Sequence, residues 1–181
     1  TDLFVSLTDT IVRQVEDIGN MVDEFSSFAR MPRAVMKEIE LVDLVKDQVS
    51  LQETAHSDID FFLEGVEEKI MVQCDARQVR QVITNLLQNS VDSITARNEA
   101  SKSYSGKIKI LLSIEERFGS IVISDNGKGL PKENRHRLTE PYVTTREKGT
   151  GLGLAIVAKI IEDHRGSFRI EDGGVLGSGA T

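Results

Sequence analysis

Apolar residues at Ile11, Val15, Ile18, Val22, Phe25 and Ala29 recur at spacings of four, three, four, three and four. This is the a/d seam of a helix, with Arg13, Glu16, Asp17, Asp23 and Glu24 on its outer side. Pro32 ends it, because a proline pushes the residue before it out of the helical region. A lone seam cannot bury itself. It is either a helix packed on its own domain or a dimer or bundle helix whose partner lies elsewhere. The second reading is preferred, since no seam of similar strength recurs downstream. The chain therefore divides into a helix over 1–31, a linker over 32–37 and a domain over 38–181.

Within the domain the periodicity changes repeatedly. Residues 41–56 read as an amphipathic helix, and 59–63 and 70–74 as short strands around the turn signal Glu64-Gly65. Asp75 is placed to cap a long helix running to about Arg97. After a polar loop over 98–105, residues 108–114 and 120–124 form a strand pair turning near Phe118-Gly119. Residues 126–150 have little periodicity and are long for a connection inside a compact domain, which marks a functional loop. A helix over 152–163 and a strand over 167–171 follow, with His164 at the helix end where a cation suits the dipole. Strands paired in the middle with helices around them predict an α+β two-layer sandwich.

Composition narrows the classes. The 181 residues carry 22 Lys+Arg against 29 Asp+Glu, a net charge of −7, with 39% hydrophobic residues, enough for a packed core. The acidic balance argues against broad nucleic-acid binding. No apolar run approaches the roughly 20 residues of a membrane span, and no signal peptide is recognisable. Cys74 is alone, which excludes an internal disulfide, and His56, His136 and His164 are too dispersed to suggest a metal site.

The chemistry concentrates in three places. In Lys148-Gly149-Thr150-Gly151-Leu152-Gly153-Leu154, alternate glycines run straight into an apolar helix. A helix N-terminus has unpaired N–H groups and a positive dipole end, and glycine lets backbone approach a phosphate. The spacing is neither the Walker nor the dinucleotide pattern, and a plain hinge would look similar. Residues 126–150 hold six basic residues (Lys128, Lys132, Arg135, Arg137, Arg146, Lys148) against three acidic ones, a net +3 beside the glycines. That charge suits a polyphosphate, although chance clustering on a solvated loop would give the same count.

Asp125-Asn126-Gly127-Lys128-Gly129 places a carboxylate at a strand end before a glycine turn, ordinary turn chemistry that also offers an acceptor for an exocyclic amine. Asn85 and Asn89 share a helix face four residues apart. Their amide oxygens suit Mg²⁺, though two solvated asparagines would look the same.

In order, Asn85-x-x-x-Asn89, Asp125-x-Gly127-x-Gly129, Thr139-Glu140-Pro141-Tyr142, Gly149-Thr150-Gly151-Leu152-Gly153-Leu154 and Gly177-Ser178-Gly179 resemble the N, G1, F, G2 and G3 boxes of bacterial two-component sensor histidine kinases. The resemblance covers about residue 38 to 181. The stretch from Asp9 to Pro32 resembles the second dimerisation helix of nitrogen-regulation kinases of the NtrY type.

The resemblance implies a Bergerat (GHKL) ATP-binding fold, a mixed sheet with helices on one face, preceded by the dimerisation-type helix. It implies ATP or ADP with Mg²⁺ as ligands. Asn85 and Asn89 would be the catalytic positions, Asn89 holding the metal, and Asp125 would accept from the adenine amine. Gly127, Gly129 and Leu130 would shape the purine end. Gly149, Thr150, Gly151, Leu152 and Gly153 would line the phosphates, Tyr142 would anchor a lid over about 128–149, and Asp92, Thr145, Arg146, Lys148 and Thr181 complete the implied nucleotide set. A response-regulator aspartate and a homodimer of the full-length protein are the implied partners, in the cytoplasmic part of a membrane-anchored sensor, with no nucleic acid and no membrane contact by this segment.

Two positions depart from the pattern. Many such kinases carry Lys or Arg three residues after the second Asn, where this chain has Asp92, so phosphate neutralisation leans on Lys148 or Arg146. No His is followed by Glu or Asp, so the acceptor histidine is expected on a helix absent from this chain. Two alternatives stand beside the kinase: a GHKL ATPase, whose members carry a Glu base where this chain has Asn85, and a nucleotide-sensing interaction module using the Ile11–Ala29 seam.

Overall fold

A computed structural model describes residues 2–100, 105–131, 133, 135–144, 149–172, 176 and 179–181. Helix α1 spans Asp2–Ala29. Its seam is unburied: Ile11 is 62% and Val15 63% exposed, and Ile18, Val22 and Phe25 are also exposed.

The segment expected to be linker only partly is one. Pro32 and Val35 are tied to Gln78 and Asp75, and Lys37–Glu40 form strand β1. β1 pairs antiparallel with β3 (Met71–Cys74) in register Lys37↔Cys74. Four residues give too short an alternation to reveal this strand in the sequence. Glu40 then caps helix α2 (Leu41–Ala55), accepting from Val42 N at 3.2 Å and Asp43 N at 2.8 Å, and it also accepts from Ile70 N at 2.9 Å. One carboxylate so satisfies two amides of the helix start and ties it to β3.

The flanks of Glu64-Gly65 do not pair with each other. β2 (Ile59–Glu64) runs parallel to β4 (Gly106–Glu115), which pairs antiparallel with β5 (Phe118–Asp125). The sheet β2-β4-β5 is therefore mixed, as expected. The β4–β5 turn falls at Glu116-Arg117, earlier than Phe118-Gly119, with Glu116 taking the positive φ of 57°. Helix α3 (Ala76–Ala100) extends into the expected polar loop. Asp75 caps it, Oδ1 accepting from Arg77 N and Gln78 N.

Alternate residues Ile108, Ile110 and Leu112 of β4 face Val79, Ile83, Leu87, Val91 and Ile94 of α3 and the apolar side of α2, which forms the main core between sheet and helices. Helix α4 (Gly153–Asp163) lies on α3 instead, burying Leu152, Ile156, Val157 and Ile160 against Val82.

One further expectation changes. Residues 167–171 form no strand: Phe168 packs against the α4 cluster, and pairing is confined to Glu171 with Thr181 and the Asp172–Ala180 bridge. His164 is tied into the fold at both ring nitrogens: its Nε2 accepts from Asp75 N at 3.0 Å while Nδ1 meets Ile160 O at 2.7 Å.

Candidate functional site

The site is organised by one ridge of α3. Asn85, Asn89, Ser93 and Arg97 follow at intervals of four and share a face. At one end Asn85 Nδ2 donates to Gly153 O at 3.3 Å, where α4 begins. At the other, Ser93 Oγ donates to Asp125 Oδ1 at 3.3 Å, and Arg97 Nη1 donates to the carbonyls of Asn126 and Gly127. Half-buried Asn89 stands between them. Eight residues of helix separate Asn85 from Ser93, about 12 Å.

Asp125 closes β5 and is buried, 4% exposed. Its Oδ1 also accepts from Gly127 N at 2.8 Å, and its own N–H donates to Ala180 O at 2.9 Å. Burial pushes its carboxyl above the usual carboxylate range, partly offset by the hydrogen bonds of Gly127, Ala180, Ser93 and Ser90. The turn accepts only glycine at two points. A Cβ at Gly127 would meet Ser93 Oγ at 2.3 Å, and one at Gly179, whose φ is +103°, would meet Asp125 O at 1.9 Å. Thr181 lies alongside, its Oγ1 donating to Ser124 Oγ at 3.0 Å.

The start of α4 is the opposite case. No side chain caps it and its first turn holds no acid. A Cβ at Gly153 would find nothing within 4 Å. Leu152 is fully buried, so it contributes backbone and a core anchor rather than a side chain. Thr150 Oγ1 accepts from Leu152 N at 3.3 Å, and Gly151, at φ +70°, accepts from Tyr142 N at 3.0 Å. Open amides at a helix start form an anion site.

Of the remaining candidates, Thr145, Arg146 and Lys148 lie outside the described residues, as do Gly177 and Ser178. Tyr142 holds Gly151 through its backbone, at φ +67°, and the residue is 59% exposed. Gly129, at φ +77°, comes beside Gly179, and Leu130 after it is half-buried. Asp92 accepts from Gln88 Nε2 at 2.8 Å, off the central ridge. Thr139 and Pro141 line a hollow of about 680 Å³ on the outer side of α4, away from Asp125.

Ser93 and Arg97 were not singled out in the sequence. The signal was present, since they continue the Asn85–Asn89 interval by two more turns. Among the described residues no three His, Cys, Asp or Glu side chains converge on a metal.

Residues 74–181 match the family model described as histidine kinase-, DNA gyrase B-, and HSP90-like ATPase. The chain is 46% identical over 173 residues to the nitrogen regulation protein NtrY of Azorhizobium caulinodans, covering 94% of this chain and 22% of that protein. The catalytic domain of the histidine kinase ThkA, in a nucleotide-free form, superposes with a TM-score of 0.66 at 30% identity, over 76% of this chain and 88% of that one. ThkA in complex with the response regulator TrrA gives 0.73 at 25% identity, over 95% and 47%. The chain spans under a third of the curated relatives named NtrY or NtrY-like that it matches. With the buried carboxylate turn and the open helix start joined by one α3 ridge, the chain belongs to the histidine kinase-, DNA gyrase B- and HSP90-like ATPase family, and its relatives there are sensor histidine kinases.

Proposed function

We propose that this chain binds Mg·ATP between α3 and the start of α4, as the catalytic part of a two-component sensor kinase. The observation that carries the reading is the α3 ridge, which connects a buried acceptor, Asp125, to uncapped amides about two helical turns away. Asp125 takes Gly127 and Ser93 on Oδ1, so its other oxygen accepts from the purine amine. Thr150, Gly151 and Gly153 offer backbone to the phosphates, with Arg146 and Lys148 supplying charge. Asn89 holds Mg²⁺, which neutralises the phosphate oxygens.

Phosphoryl transfer depends mainly on positioning and charge, and that is what these residues provide. The acceptor is a histidine of another helix, whose ring nitrogen takes the γ-phosphoryl as ADP departs. His56, His136 and His164 are each followed by a non-acidic residue, and both ring nitrogens of His164 are engaged. A response-regulator aspartate receives the group next, a partner suggested by the ThkA–TrrA complex. The exposed seam of α1 serves as part of a homodimeric bundle. Asn85 cannot take a proton from water, so hydrolysis is slow.

Titration calorimetry with Mg·ATP on the wild type and Asp125→Ala tests the reading. Binding by the wild type that weakens at least tenfold in the variant supports it. Equal affinity in both refutes the purine contact, and no binding to the wild type refutes the function.

A further inference from the structure

Away from the glycine-rich end, three polar side chains join parts of the chain that the phosphate chemistry does not use. Asp75 and Gln78 are 7% and 2% exposed. Asp75 Oδ2 accepts from Val35 N at 2.9 Å, and Gln78 Nε2 donates to Pro32 O at 2.8 Å, so both hold the linker that follows α1. From the other side, Asp75 N donates to His164 Nε2 at 3.0 Å, and His164 Nδ1 bonds Ile160 O at 2.7 Å. Met31 packs against the cluster of Val82, Leu152, Ile156, Val157 and Ile160, which is the seam between α3 and α4.

Helix α4 is thus pinned to α3 at both ends, by Asn85–Gly153 and by Asp75–His164. It is a single rigid element about 16 Å long, with an apolar stripe that cannot slide without repacking. A displacement at the glycine-rich end therefore reaches His164. There it meets the one residue whose carboxylate also holds the linker amide. Among the described residues Gln78 Oε1 is buried with no hydrogen-bond partner, so release of the linker would let water reach this acceptor.

We infer that Asp75, Gln78 and His164 form a mechanical joint through which occupancy at the start of α4 sets how firmly the linker, and with it α1, is held on the catalytic domain. The inference rests on the nucleotide reading only for the identity of the occupant. Asp75, Gln78 and His164 are positioning residues. None touches the phosphate or purine ends.

The test is amide hydrogen exchange at Val35 in the full chain, with and without Mg·ADP, in the wild type, His164→Ala, His164→Gln and Gln78→Leu. Mg·ADP should slow Val35 exchange at least fivefold in the wild type. Without nucleotide, His164→Ala should speed that exchange about tenfold and abolish the ADP effect, and His164→Gln, which restores an acceptor for Asp75 N–H, should recover part of both. Gln78→Leu keeps the volume, frees Pro32 O and should reproduce the loss if His164→Ala does not fold. Coupling is reciprocal, so ADP affinity should fall by no more than the factor seen at Val35. Unchanged nucleotide-free exchange in both His164→Ala and Gln78→Leu would overturn the inference, as would an ADP effect that survives in them. If the wild type binds no ADP, the functional reading fails, and the nucleotide-free comparison alone decides the joint.

Discussion

Under the proposed function the buried carboxylate of Asp125 serves a ligand rather than the fold, and Asp125→Asn separates the two roles. The folded state holds its carboxyl above the ordinary value of 3.8, burial being the largest cause. Between the ordinary and the raised value the native protein binds a proton that the unfolded chain has released. Stability therefore falls as pH rises through that window and stays reduced above it. Asparagine retains an oxygen for Gly127 N and Ser93 Oγ, yet carries no charge to desolvate. At pH 7 the variant should melt at or above the wild-type temperature, and its melting should lack the Asp125 portion of the acid slope.

Affinity should move the other way. With Oδ1 occupied by the turn, the variant presents an NH₂ to the purine amine, donor against donor. Losing a hydrogen bond to a charged group costs about 1.5–3 kcal/mol, about 10- to 150-fold in Kd. Thermal melts over a pH series and Mg·ATP calorimetry measure the two effects. A melting temperature several degrees lower would refute the buried-charge argument, and an unchanged Kd would refute the purine contact.

Gly153→Ala should leave folding unchanged or raise stability by about 0.5 kcal/mol, since a Cβ there meets nothing within 4 Å. Its Mg·ATP affinity should nevertheless fall severalfold, and equal affinity would remove that amide from the phosphate site. Gly179→Ala should cost about 2 kcal/mol or more in urea unfolding, because the φ of +103° and the 1.9 Å approach to Asp125 O are both backbone constraints. Glu40→Ala should lose about 1–2 kcal/mol, as three N–H groups lose one carboxylate. Burial alone would raise the Glu40 carboxyl, but the Ile70, Asp43 and Val42 amides outweigh it and hold it below 4.5. That share of stability is complete above pH 4.5 and is lost as pH falls through the lowered value, which urea midpoints at pH 7 and pH 3 compare.

Elements whose cause is local were readable from the chain alone. The i, i+4 interval that makes Asn85 and Asn89 neighbours holds in any helix, and the α1 seam, the Asp75 cap and the glycine-to-helix transition at 149–153 follow equally from short-range geometry. Which surfaces meet was another matter. Pairing of β1 with β3 and of β2 with β4 depends on partners far along the chain, and a four-residue strand carries too little alternation to announce itself. Residues 167–171 have strand-like alternation but pair only at Glu171 and Asp172, and without a ladder the pattern has nothing to act on. His164 was legible as a helix end. Only the approach of α4 to Asp75 decided that its Nε2 accepts the Asp75 N–H, because a ring's hydrogen bonds are set by what faces it, and that neighbour is 89 residues away.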